Sequence, residues 1–552
     1  MKRQPESLAR DHFDVLVVGG GITGAFIAWD AALRGLRTAL IEKGDFGGAT
    51  SAASSKLLHG GVRYLQQAQL HKVRESAMER AHLQHIAPHH SHYVPFLVPA
   101  YRSLAKSRLA LNVAMAAYEA LCIGEKRIIG NAEKLPPSFQ RLSRAEVLES
   151  APYLDKPSLT GAVVLFESHM HSSERMTLSI IKSAAARGAE VCNYLRADSF
   201  LREGGAVTGV HATDLDSGGS LDIGARVTIN AAGPWIPLLQ DRDQKRSTTT
   251  GYARGAHLVL EGFALSHAVA LPTGKGAQSV VDRGGRHVFL IPWRNRALVG
   301  TSYASYSGNL DELRVEPEDV HELLDAVNDA APGLRLDESH IAHSFCGLYP
   351  LQAQDIRTGV YQGTGEYLVI DHATHGEARG LITALGAKYT TARKVAELAV
   401  NAAQRHLGGT PAPAGTRGQR CVGGDIADIQ SLTRSVTAAT GDKDCAEHLV
   451  QSHGTDALRI AGRVAAGAAT PLSANQPVTL AEIDHILEEE MVQHLDDVVF
   501  RRTGLGTVGH PGVACLEAIA ARMSGRLGWS DARREREIRS VASRFTRPGA
   551  TS

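Results

Sequence analysis

The amino-terminal segment follows a pattern of apolar and polar positions that predicts a strand, a helix and a second strand. Val15–Val18 is an unbroken apolar run, typical of a strand buried on both faces. Ile22–Arg34 is rich in alanine and predicts a helix, and Gly35 follows it. Thr38–Ile41 is a second apolar run, which ends on Glu42. This order of elements predicts a βαβ unit with parallel strands.

Further along, the pattern predicts two longer helices and several short strands. The first helical pattern runs from Leu70 to Ile86 and stops at Pro88, and the second covers Thr177–Arg187, with Gly188 as its cap. A turn at 216–219 joins two alternating runs, 206–213 and 221–229, into a predicted hairpin. The other predicted strands lie at 189–195, 227–235, 256–260, 287–292 and 297–301, and the last three indicate a second, largely antiparallel sheet.

A linker separates the first part of the chain from a helical carboxyl-terminal part. Gly408–Gln419 is the clearest linker, and beyond it nearly every segment is helical in pattern, with a capping box at Thr479-x-x-Glu482. We predict a first unit at 12–407, in which a second domain at roughly 70–170 and 240–350 is interleaved with the βαβ domain. A linker at 408–420 and a helical domain at 421–540 follow.

Composition and charge exclude several classes of protein. The 552 residues exceed one ordinary core, and 59 Lys plus Arg balance 58 Asp plus Glu, which argues against nucleic acid as a partner. Six scattered cysteines form no Cys-x-x-Cys pair and are expected to be reduced thiols of a cytoplasmic protein. The polar amino terminus leads straight into the first strand, so no signal peptide is expected. The most apolar helical stretch, Leu109–Ile123, is too short to span a bilayer, so any membrane association is expected to be peripheral.

A glycine-rich turn carries the first candidate chemistry. Between the first strand and the helix the spacing is Gly19-x-Gly21-x-x-Gly24. The first glycine permits a tight turn, the second lets backbone approach a pyrophosphate, and the third lets the helix pack closely on the strand. The helix N-terminus offers free N–H groups to phosphate, and Glu42, about 20 positions downstream, is placed to hold ribose hydroxyls. The chain is therefore expected to bind a dinucleotide, with a ligand-free glycine loop as the alternative.

The layout after the βαβ unit favours a flavin enzyme over a simple NAD dehydrogenase. A simple NAD dehydrogenase continues with further βα units after its acidic strand end. Here a long insertion intervenes, and the sheet resumes only near 189–195 and 227–233. That interrupted layout is typical of FAD-binding oxidoreductases with two domains.

Several separated segments resemble the FAD-dependent glycerol-3-phosphate dehydrogenases. They are Ala49–Leu65 (ATSAASSKLLHGGVRYL), Ile229–Trp235 (INAAGPW), Gly255–His257 (GAH), Phe289–Trp293 (FLIPW), Gly386–Thr391 (GAKYTT) and Asp496–Thr503 (DDVVFRRT). The resemblance implies FAD as the cofactor. It also implies an α/β fold, in which an FAD-binding Rossmann-like domain of the glutathione-reductase type is interleaved with an antiparallel β substrate domain and followed by an α-helical C-terminal domain.

The residues expected to contact FAD lie in the glycine turn and in these segments. Small hydroxylated residues in the loop after the second strand suit a chain that passes close to an isoalloxazine ring, because they offer hydrogen bonds without bulk. Lys56 and His59 are expected to bond the polar edge of the flavin, and Gly60 to let backbone approach it. A flexible surface loop is the alternative for the segment 49–65. The predicted cofactor-binding set is Gly19, Gly21, Gly24, Glu42, Thr50, Ser51, Ser54, Lys56, His59, Gly60, Gly233 and Thr390.

The predicted catalytic residues are His257, Lys388 and Arg63. When a flavin oxidises a secondary alcohol, hydride leaves the carbon for flavin N5 while a base removes the hydroxyl proton. His257 is the first candidate for that base, since an imidazole titrates near neutral pH, and a structural strand histidine is the alternative. Lys388 would favour the reduced flavin or hold a substrate anion. The resemblance places Arg63, Tyr64 and Lys388 at the substrate phosphate, with a salt-bridged surface arginine as the alternative for Arg63.

The segments around the expected substrate pocket depart from the family pattern. Tyr349 stands where the family has an arginine, Tyr303 where it has an aspartate, and Gly365 where it has a second arginine. The pocket thus loses two arginines and gains aromatic surface, with Tyr349 as a predicted substrate contact. Each lost charge-assisted hydrogen bond is worth about 1.5–3 kcal/mol of binding unless another cation replaces it. The candidates for such a replacement are Arg254, Arg286 and Arg357.

Two other groups of residues are expected to be solvated. Histidines cluster after the first long helix without a partner carboxylate or cysteine, so solvated side chains are expected there rather than a metal site. They are His82, His85, His89, His90 and His92. Arg501 and Arg502 are expected on a solvated helical face. No metal ligands are predicted.

The resemblance also implies a function. The expected reaction is the oxidation of sn-glycerol 3-phosphate to dihydroxyacetone phosphate, with electrons passed to a quinone or another acceptor. Peripheral association with the inner face of the cytoplasmic membrane and a homodimer are expected by analogy with the family alone. One alternative is a family member that oxidises another polyol phosphate or a larger hydroxylated substrate, which Tyr303 and Tyr349 favour. A second is a flavin-binding regulator that has lost turnover.

Overall fold

The computed structural model describes residues 1–65, 69–102, 108–239, 251–262, 265–273, 286–351, 366–465, 471–473 and 476–545. Within these ranges the side chain of Arg63 lies outside the description, as do a few side chains at the ends of elements.

The β-strands are β1 His12–Val18, β2 Thr38–Ile41, β3 Leu57–Leu58, β4 Ser91–Tyr101, β5 Gln140–Ser143, β6 Leu159–Met170, β7 Glu190–Cys192, β8 Leu195–Glu203, β9 Ala206–Asp214, β10 Ser220–Asn230, β11 Gly251–Leu260, β12 Ala268–Thr273, β13 Arg286–Trp293, β14 Arg296–Gly300, β15 Ala304–Tyr306, β16 Ile341–Leu351, β17 Leu368–Asp371, β18 Leu381–Leu385, β19 Pro471–Ser473 and β20 Gln476–Thr479.

The α-helices are α1 Pro5–Arg10, α2 Ile22–Leu33, α3 Val62–Leu65, α4 Leu70–Ile86, α5 Arg108–Leu121, α6 Glu125–Ile129, α7 Arg144–Ser150, α8 Ser173–Ala186, α9 Pro317–Ala330, α10 Ala392–His406, α11 Ile429–Thr440, α12 Lys443–His453, α13 Ala457–Ala465, α14 Leu480–Glu489, α15 Val513–Leu527 and α16 Asp531–Ser543. A π-helical turn spans Asp497–Arg502.

The first sheet has the parallel centre that the opening pattern predicts. Its order is β17-β18-β10-β1-β2-β7, in which β1 runs parallel to β2 and β10, β2 to β7, and β10 to β18. Val15 lies opposite Thr38 on one side and opposite Val227 on the other. The predicted hairpin is confirmed, because β9 and β10 are antiparallel and β8 continues them.

Strand β1 is buried on both faces, which explains its unbroken apolar run. Val15 and Val17 pack in the cluster that contains α2, α8 and α10, with Phe26 among its members. Leu16 and Val18 face the opposite cluster, which α1 and β9 complete. A strand covered on both sides has no polar face, so alternation is absent from its sequence.

The second sheet is large, and its described strands pair in antiparallel fashion with one exception. Its order is β15-β11-β14-β13-β12-β4-β6-β3, with β16 paired to β11 and β5 to β6. β12 and β4 pair in parallel, with Ala268 opposite Phe96. These two strands come from the separate stretches near 70–170 and 240–350, so no hairpin forces them to be antiparallel. α9 covers one face of this sheet and buries Leu323 and Val327 against it.

One predicted helix begins earlier than its apolar pattern does. The helix predicted from Thr177 begins at Ser173, with the Ser172 side chain as its N-cap. The added first turn is polar, and its Glu174 is buried because it pairs with Lys56. A buried ion pair of this kind leaves no apolar periodicity to detect.

The carboxyl-terminal part is helical, as predicted, from α11 to α16 with the small β19–β20 hairpin. The predicted capping box is only half formed. Thr479 Oγ1 accepts a hydrogen bond from Glu482 N at 3.4 Å, but the Glu482 carboxylate bonds His448 and His453 instead of the cap. Among the helices described, none is long and apolar enough to cross a membrane. The division at 12–407, 408–420 and 421–540 stays a prediction.

Candidate active site

The glycine turn between β1 and α2 is closed by contacts that leave no room for side chains. Gly19 has φ +111°, and its N–H donates to the Ile41 carbonyl at 2.8 Å. A Cβ on Gly19 would lie 2.6 Å from the Ala231 carbonyl oxygen, and one on Gly24 would lie 1.9 Å from that of Gly19. These positions therefore require glycine. Gly21 caps α2 and lines a cavity, so the N–H groups of the first helical turn face that cavity.

Glu42 lies at the end of β2 and ties the glycine turn to the loop that follows. Its Oε2 accepts a hydrogen bond from Gly20 N at 2.6 Å, and its Oε1 accepts one from Gly44 N at 2.8 Å. Burial raises the pKa of Glu42, although both N–H donors favour the carboxylate. Glu42 also lines the cavity. The ribose contact of this carboxylate stays a prediction.

The hydroxylated loop 49–55 forms the next part of the cavity wall. Thr50 Oγ1 donates to the Leu348 carbonyl at 3.0 Å, and Ser51 Oγ accepts from Ile22 N at 2.9 Å. Ser51 thus binds the first turn of α2 beside the glycine turn. Thr50, Ser51 and Ser54 all line the cavity, where small polar groups leave space for a flat ring.

The structure turns Lys56 away from the cavity, contrary to the predicted flavin contact. Its Nζ donates to Ala52 O at 2.6 Å, Ser173 Oγ at 3.0 Å and Glu174 Oε1 at 2.7 Å, which uses all three N–H donors. A buried ammonium needs this pairing because its desolvation is costly. Lys56 therefore holds the loop in place and does not line the cavity.

Gly60 is required by a buried polar cluster rather than by close approach of a flavin, which corrects the prediction. Its N–H donates to Glu167 Oε2 at 2.9 Å. A Cβ on Gly60 would lie 1.8 Å from Tyr118 Oη and 2.4 Å from Arg80 Nη1. Arg80 forms buried ion pairs with Glu125 and Glu167. We call Arg80, Tyr118, Glu125 and Glu167 the Arg80 cluster; it supports the loop from behind.

His257 lies in β11 and lines the cavity. Its Nε2 is 2.9 Å from Ser55 Oγ, and its ring stacks on Phe345 with centroids 5.1 Å apart. Among the described residues, Nδ1 has no hydrogen-bond partner. Burial, reinforced by the Lys56 ammonium, lowers the pKa of His257 to about 3, so the ring is neutral at neutral pH. A Cβ on Gly300 would lie 2.1 Å from Cδ2, so this glycine leaves room for the ring.

Lys388 meets Tyr64 at the cavity. Its Nζ lies 4.4 Å from the centroid of the Tyr64 ring, and Lys388 lines the cavity. Burial lowers the pKa of Lys388 to about 8, and the Glu75 carboxylate opposes part of that effect. Arg63 precedes Tyr64 in α3, but its side chain lies outside the described part of the chain. The phosphate contact of Arg63 stays a prediction.

His59, Gly233 and Thr390 also line the cavity. The strand predicted over 227–235 ends earlier, at Asn230. The reason is Gly233, whose φ of +55° turns the chain into a short 3₁₀ segment at the cavity wall. Direct contacts of these three residues with FAD stay predictions.

The aromatic residues that replace family polar groups lie side by side. The ring centroids of Tyr303 and Tyr349 are 5.7 Å apart, and Tyr349 lines the cavity. Arg254, one candidate replacement cation, is already paired, with its Nε 2.8 Å from Asp319 Oδ2. The other named positions lie outside the described residues: Gly365, Arg357 and the side chain of Arg286.

One cavity of about 520 Å³ joins the glycine turn, the hydroxylated loop, His257 and Lys388. The N–H groups at the start of α2 suit a pyrophosphate. The small residues of the loop 49–55 leave space for a ring system beside His257 and Lys388. The residues present therefore fit FAD.

Sequence reasoning missed a polar group at this cavity. Lys43 Nζ lies 4.0 Å from the centroid of the Trp235 ring and pairs with Asp311, to which Trp235 Nε1 donates at 2.8 Å. All three residues line the cavity. Asp311 follows β15 and is distant in sequence, so no local spacing indicates it. Trp235 is the one member that lies in a recognised motif, INAAGPW.

Histidines after α4 are buried, which contradicts the expectation that they are solvated. His89 and His90 are 3% and 0% exposed, with ring centroids 3.9 Å apart, and His90 Nε2 lies 2.8 Å from Ser179 Oγ of α8. The chain passes beneath α8 here, where water is excluded. Burial lowers the pKa of His89 to about 3 and that of His92 to about 4. Burial likewise lowers the pKa of His343, in β16, to about 3.

One buried set within the described ranges has ligand atoms close enough for a metal ion. It consists of His453, His485 and Glu490, whose ligand atoms lie within 4.8 Å of one another. Arg175 binds this set itself, donating to the two Glu490 oxygens at 2.5 and 3.0 Å and contacting His453 Nδ1 at 2.9 Å. Because a guanidinium there repels a second cation, we assign no metal to it.

Arg501 and Arg502 are buried, which corrects the prediction of a solvated face. Arg502 Nη1 and Nη2 donate to the Asp45 carboxylate at 2.5 and 2.8 Å, and Arg501 Nε donates to it at 2.6 Å. Arg501 Nη2 also donates to Asp497 at 2.5 Å. The charges are buried because each has a partner, and that partner is remote in sequence.

Fold and cavity together define an FAD-dependent oxidoreductase. A family model described as "FAD dependent oxidoreductase" matches residues 14–393. A second, described as "C-terminal domain of alpha-glycerophosphate oxidase", matches residues 414–534. The expectations of an FAD cofactor, an interleaved α/β fold and a helical C-terminal domain are confirmed.

Known relatives narrow this class. The glycerol-3-phosphate dehydrogenase of Synechocystis sp. is 28% identical over 559 residues, covering 98% of this chain and 97% of the relative. The mitochondrial enzyme of Mus musculus is 30% identical over 567 residues, covering 99% of this chain and 74% of the relative. The solved glycerol-3-phosphate dehydrogenase of Bacillus halodurans, complexed with FAD, matches with a TM-score of 0.76 and 27% identity, covering 99% and 97% of the two chains. The chain belongs to the FAD-dependent glycerol-3-phosphate dehydrogenase family.

Proposed function

We propose that this chain oxidises sn-glycerol 3-phosphate to dihydroxyacetone phosphate. The relatives named for this activity support the substrate, and one observation supports the chemistry: His257 and Lys388 line the same cavity as the glycine turn. When bound, FAD supplies the hydride acceptor. The chain's own residues then have two tasks, to take a proton from the substrate hydroxyl and to hold the phosphate.

His257 is proposed to accept the hydroxyl proton. The low pKa keeps its imidazole neutral, which is the form that can accept a proton. The contact with Ser55 Oγ orients the ring through Nε2, and Nδ1 is a buried atom without a hydrogen-bond partner among the described residues. A bound phosphate anion would raise the pKa of His257, so substrate binding itself would prepare the ring for proton transfer.

Lys388 is proposed to hold the substrate phosphate, with Tyr64 and Arg63 beside it. Lys388 is a cation at the cavity wall, whereas Lys56 and Arg254 are already paired with buried carboxylates. An ammonium in this partly enclosed site attracts a phosphate more strongly than it would in water. The aromatic face of Tyr64 lies against the Lys388 ammonium and restricts where the cation points.

Anaerobic stopped-flow mixing tests the reaction directly. Glycerol 3-phosphate is expected to bleach the visible absorption of the oxidised flavin, and glycerol is not. Lys388→Met is expected to raise KM, and His257→Gln is expected to lower the rate at saturating substrate. Lys443→Met, at an exposed position of α12, serves as the control for loss of a lysine charge.

The same panel separates the alternatives. Bleaching by a larger polyol phosphate, but not by millimolar glycerol 3-phosphate, would contradict the proposal and favour the alternative that the Tyr303–Tyr349 pair suggests. Absence of bleaching by every alcohol tested would favour the flavin-binding regulator. If only a larger polyol phosphate bleaches the flavin, Tyr349→Arg is expected to make glycerol 3-phosphate bleach it faster, because the arginine restores a phosphate-binding side chain.

We further propose peripheral association with the inner face of the cytoplasmic membrane and a quinone as electron acceptor. The support is two exposed apolar side chains, Val113 on α5, which is 63% exposed, and Ile123 just after it, which is 70% exposed. Lys126 and Arg127 of α6, which follow in the chain, are exposed as well. Apolar side chains flanked by cations suit an anionic lipid surface. Helix α5 also contributes Tyr118 to the Arg80 cluster, which supports the loop at the cavity.

Sedimentation with vesicles of phosphatidylglycerol and phosphatidylethanolamine tests the membrane proposal. Binding is expected for the wild type and is expected to be lost in the double variant Val113→Glu/Ile123→Glu. Val513→Glu is the matched control, since Val513 is 62% exposed on α15. Equal binding of all three proteins would contradict the α5 surface.

Two further measurements test the acceptor and the assembly. The reduced enzyme is expected to be reoxidised faster by a short-chain ubiquinone than by dissolved oxygen, and the reverse order would make it an oxidase. We propose a homodimer by analogy with the family alone. Sedimentation velocity tests it, and a single monomer boundary would contradict it.

A further inference from the structure

The loop 42–48, which we call the cofactor loop, is tied to the glycine turn on its inner side. Glu42 accepts a hydrogen bond from Gly20 N at 2.6 Å, and Gly47 N donates to the Gly20 carbonyl at 3.0 Å. The loop residues that line the cavity are Glu42, Lys43, Gly47 and Gly48. Any displacement of the cofactor loop therefore displaces a wall of the FAD site.

On its outer side the cofactor loop is held through Asp45. The Asp45 side chain is completely buried and accepts hydrogen bonds from Arg501 at 2.6 Å and from Arg502 at 2.5 and 2.8 Å. Asn193 Nδ2 donates a further one at 3.1 Å. Both arginines belong to the π-helical turn of the carboxyl-terminal part, and Arg501 is 456 residues away in sequence.

Other residues of the carboxyl-terminal part also hold the two arginines in place. Arg502 also donates to the Glu490 carbonyl at 3.0 Å, and Arg501 Nη2 donates to Asp497 Oδ1 at 2.5 Å. Neither arginine lines the cavity. The carboxyl-terminal part thus presents a preformed pair of guanidinium groups to Asp45, from outside the cavity.

We propose that Arg501 and Arg502 are positioning residues for FAD, through which the carboxyl-terminal part sets the affinity of a cavity that neither arginine lines. The cofactor loop carries Gly44, Gly47 and Gly48, so it has little rigidity of its own. Without its cations, the buried Asp45 carboxylate would take up a proton or move toward water, and either change would shift the loop.

A purely structural role makes a different prediction. If the Asp45–arginine contact only fastens the two parts of the chain together, breaking it lowers stability and leaves the affinity for FAD unchanged. The rate at which FAD leaves the holoenzyme separates the two roles, because it reports the hold on the cofactor rather than the stability of the whole chain.

The test uses purified holoenzyme and two substitutions. Arg502→Lys keeps the charge and removes the two-pronged contact, and Asp45→Asn keeps the shape and removes the charge. FAD release is followed as the flavin fluorescence gained after dilution, and amide hydrogen exchange of the cofactor loop is measured alongside. We expect release at least about tenfold faster in both variants, because charge-assisted hydrogen bonds are lost, together with faster exchange in the loop.

A matched control and a replacement variant ensure that the FAD-release measurement either supports or contradicts the proposal. Arg522→Gln removes an exposed ion pair with Asp484 within the same helical part, and wild-type release is expected. Wild-type release in Arg502→Lys and Asp45→Asn would overturn the proposal, whatever happens to their stability. If either variant fails to fold, Arg501→Lys replaces it. Faster release then supports the proposal, and wild-type release overturns it.

Discussion

Replacing Gly300 with alanine tests whether the placement of His257 controls flavin reduction. Gly300 lies opposite His257 in the β11–β14 pair. A Cβ at this position would stand 2.1 Å from His257 Cδ2 and 2.7 Å from Nε2. Real Cβ atoms essentially never approach closer than 3.0 Å, so the ring must move by roughly an ångström.

The His257 ring is held by two contacts that oppose this shift. It stacks on Phe345 at 5.1 Å on one side, and its Nε2 is held 2.9 Å from Ser55 Oγ. A movement of this size lengthens the Ser55 contact beyond a useful hydrogen bond. Misplacing a reacting group by about 1 Å costs about a hundredfold in rate. That factor corresponds to about 2.7 kcal/mol of activation free energy.

Anaerobic stopped-flow reduction by glycerol 3-phosphate measures the effect. Gly300→Ala is expected to reduce its flavin about a hundredfold more slowly at saturating substrate. FAD should remain bound, since Gly300 does not line the cavity. Gly525→Ala in α15 is the control: its Cβ meets nothing within 4 Å, so the rate should be unchanged. A wild-type rate in FAD-loaded Gly300→Ala would refute the argument that the position of His257 sets the rate.

Three other side chains have measurable roles. Ser55→Ala removes the partner of His257 and is expected to slow flavin reduction about tenfold and to shift its pH profile, and an unshifted profile would argue against this role. Because burial lowers the pKa of Lys388 to about 8, its ammonium is lost above that pH. KM should therefore rise above pH 8 in the wild type and stay flat in Lys388→Arg, and a flat wild-type curve would contradict phosphate binding there. Arg80→Gln leaves two buried glutamates without their cation. It should therefore lower the free energy of unfolding by about 3–5 kcal/mol in urea titrations. Arg539→Gln, at an exposed pair, should change it by less than about 0.5 kcal/mol, and equal effects of the two substitutions would count against the Arg80 cluster.

Elements with a local pattern could be located from the sequence, and two of them closely. The strand over Thr38–Ile41 and the helix over Leu70–Ile86 have the predicted bounds. Gly24 of the glycine turn could be placed because it meets Gly19 within the same βαβ unit, whereas the Ala231 contact that requires glycine at position 19 is remote in sequence. An element whose pattern depends on residues close in sequence can be predicted from the sequence alone.

Which charges meet inside the fold could not be predicted. Lys56 lies in a flavin motif, yet its partner is Glu174, 118 residues further along. Arg501 and Arg502 form a charged pair typical of a solvated face. Both are nevertheless buried, because they pair with Asp45, which is more than 450 residues away in sequence. Composition shows that charges are present, and only the tertiary fold determines whether they are paired.

The buried histidines predict that mild acid destabilises this fold. Burial lowers the pKa of His89, His92, His257 and His343 to about 3, 4, 3 and 3, whereas the pKa of an exposed imidazole is near 6.5. Each therefore contributes stability above pH 6.5 that is lost as the pH falls, by about 1.4 kcal/mol per pH unit. One unit below 6.5 the four together remove roughly 5 kcal/mol, which is comparable to the net stability of a whole domain. Protonation of these imidazoles is therefore expected to lower the stability of the fold at a pH at which most carboxylates are still charged.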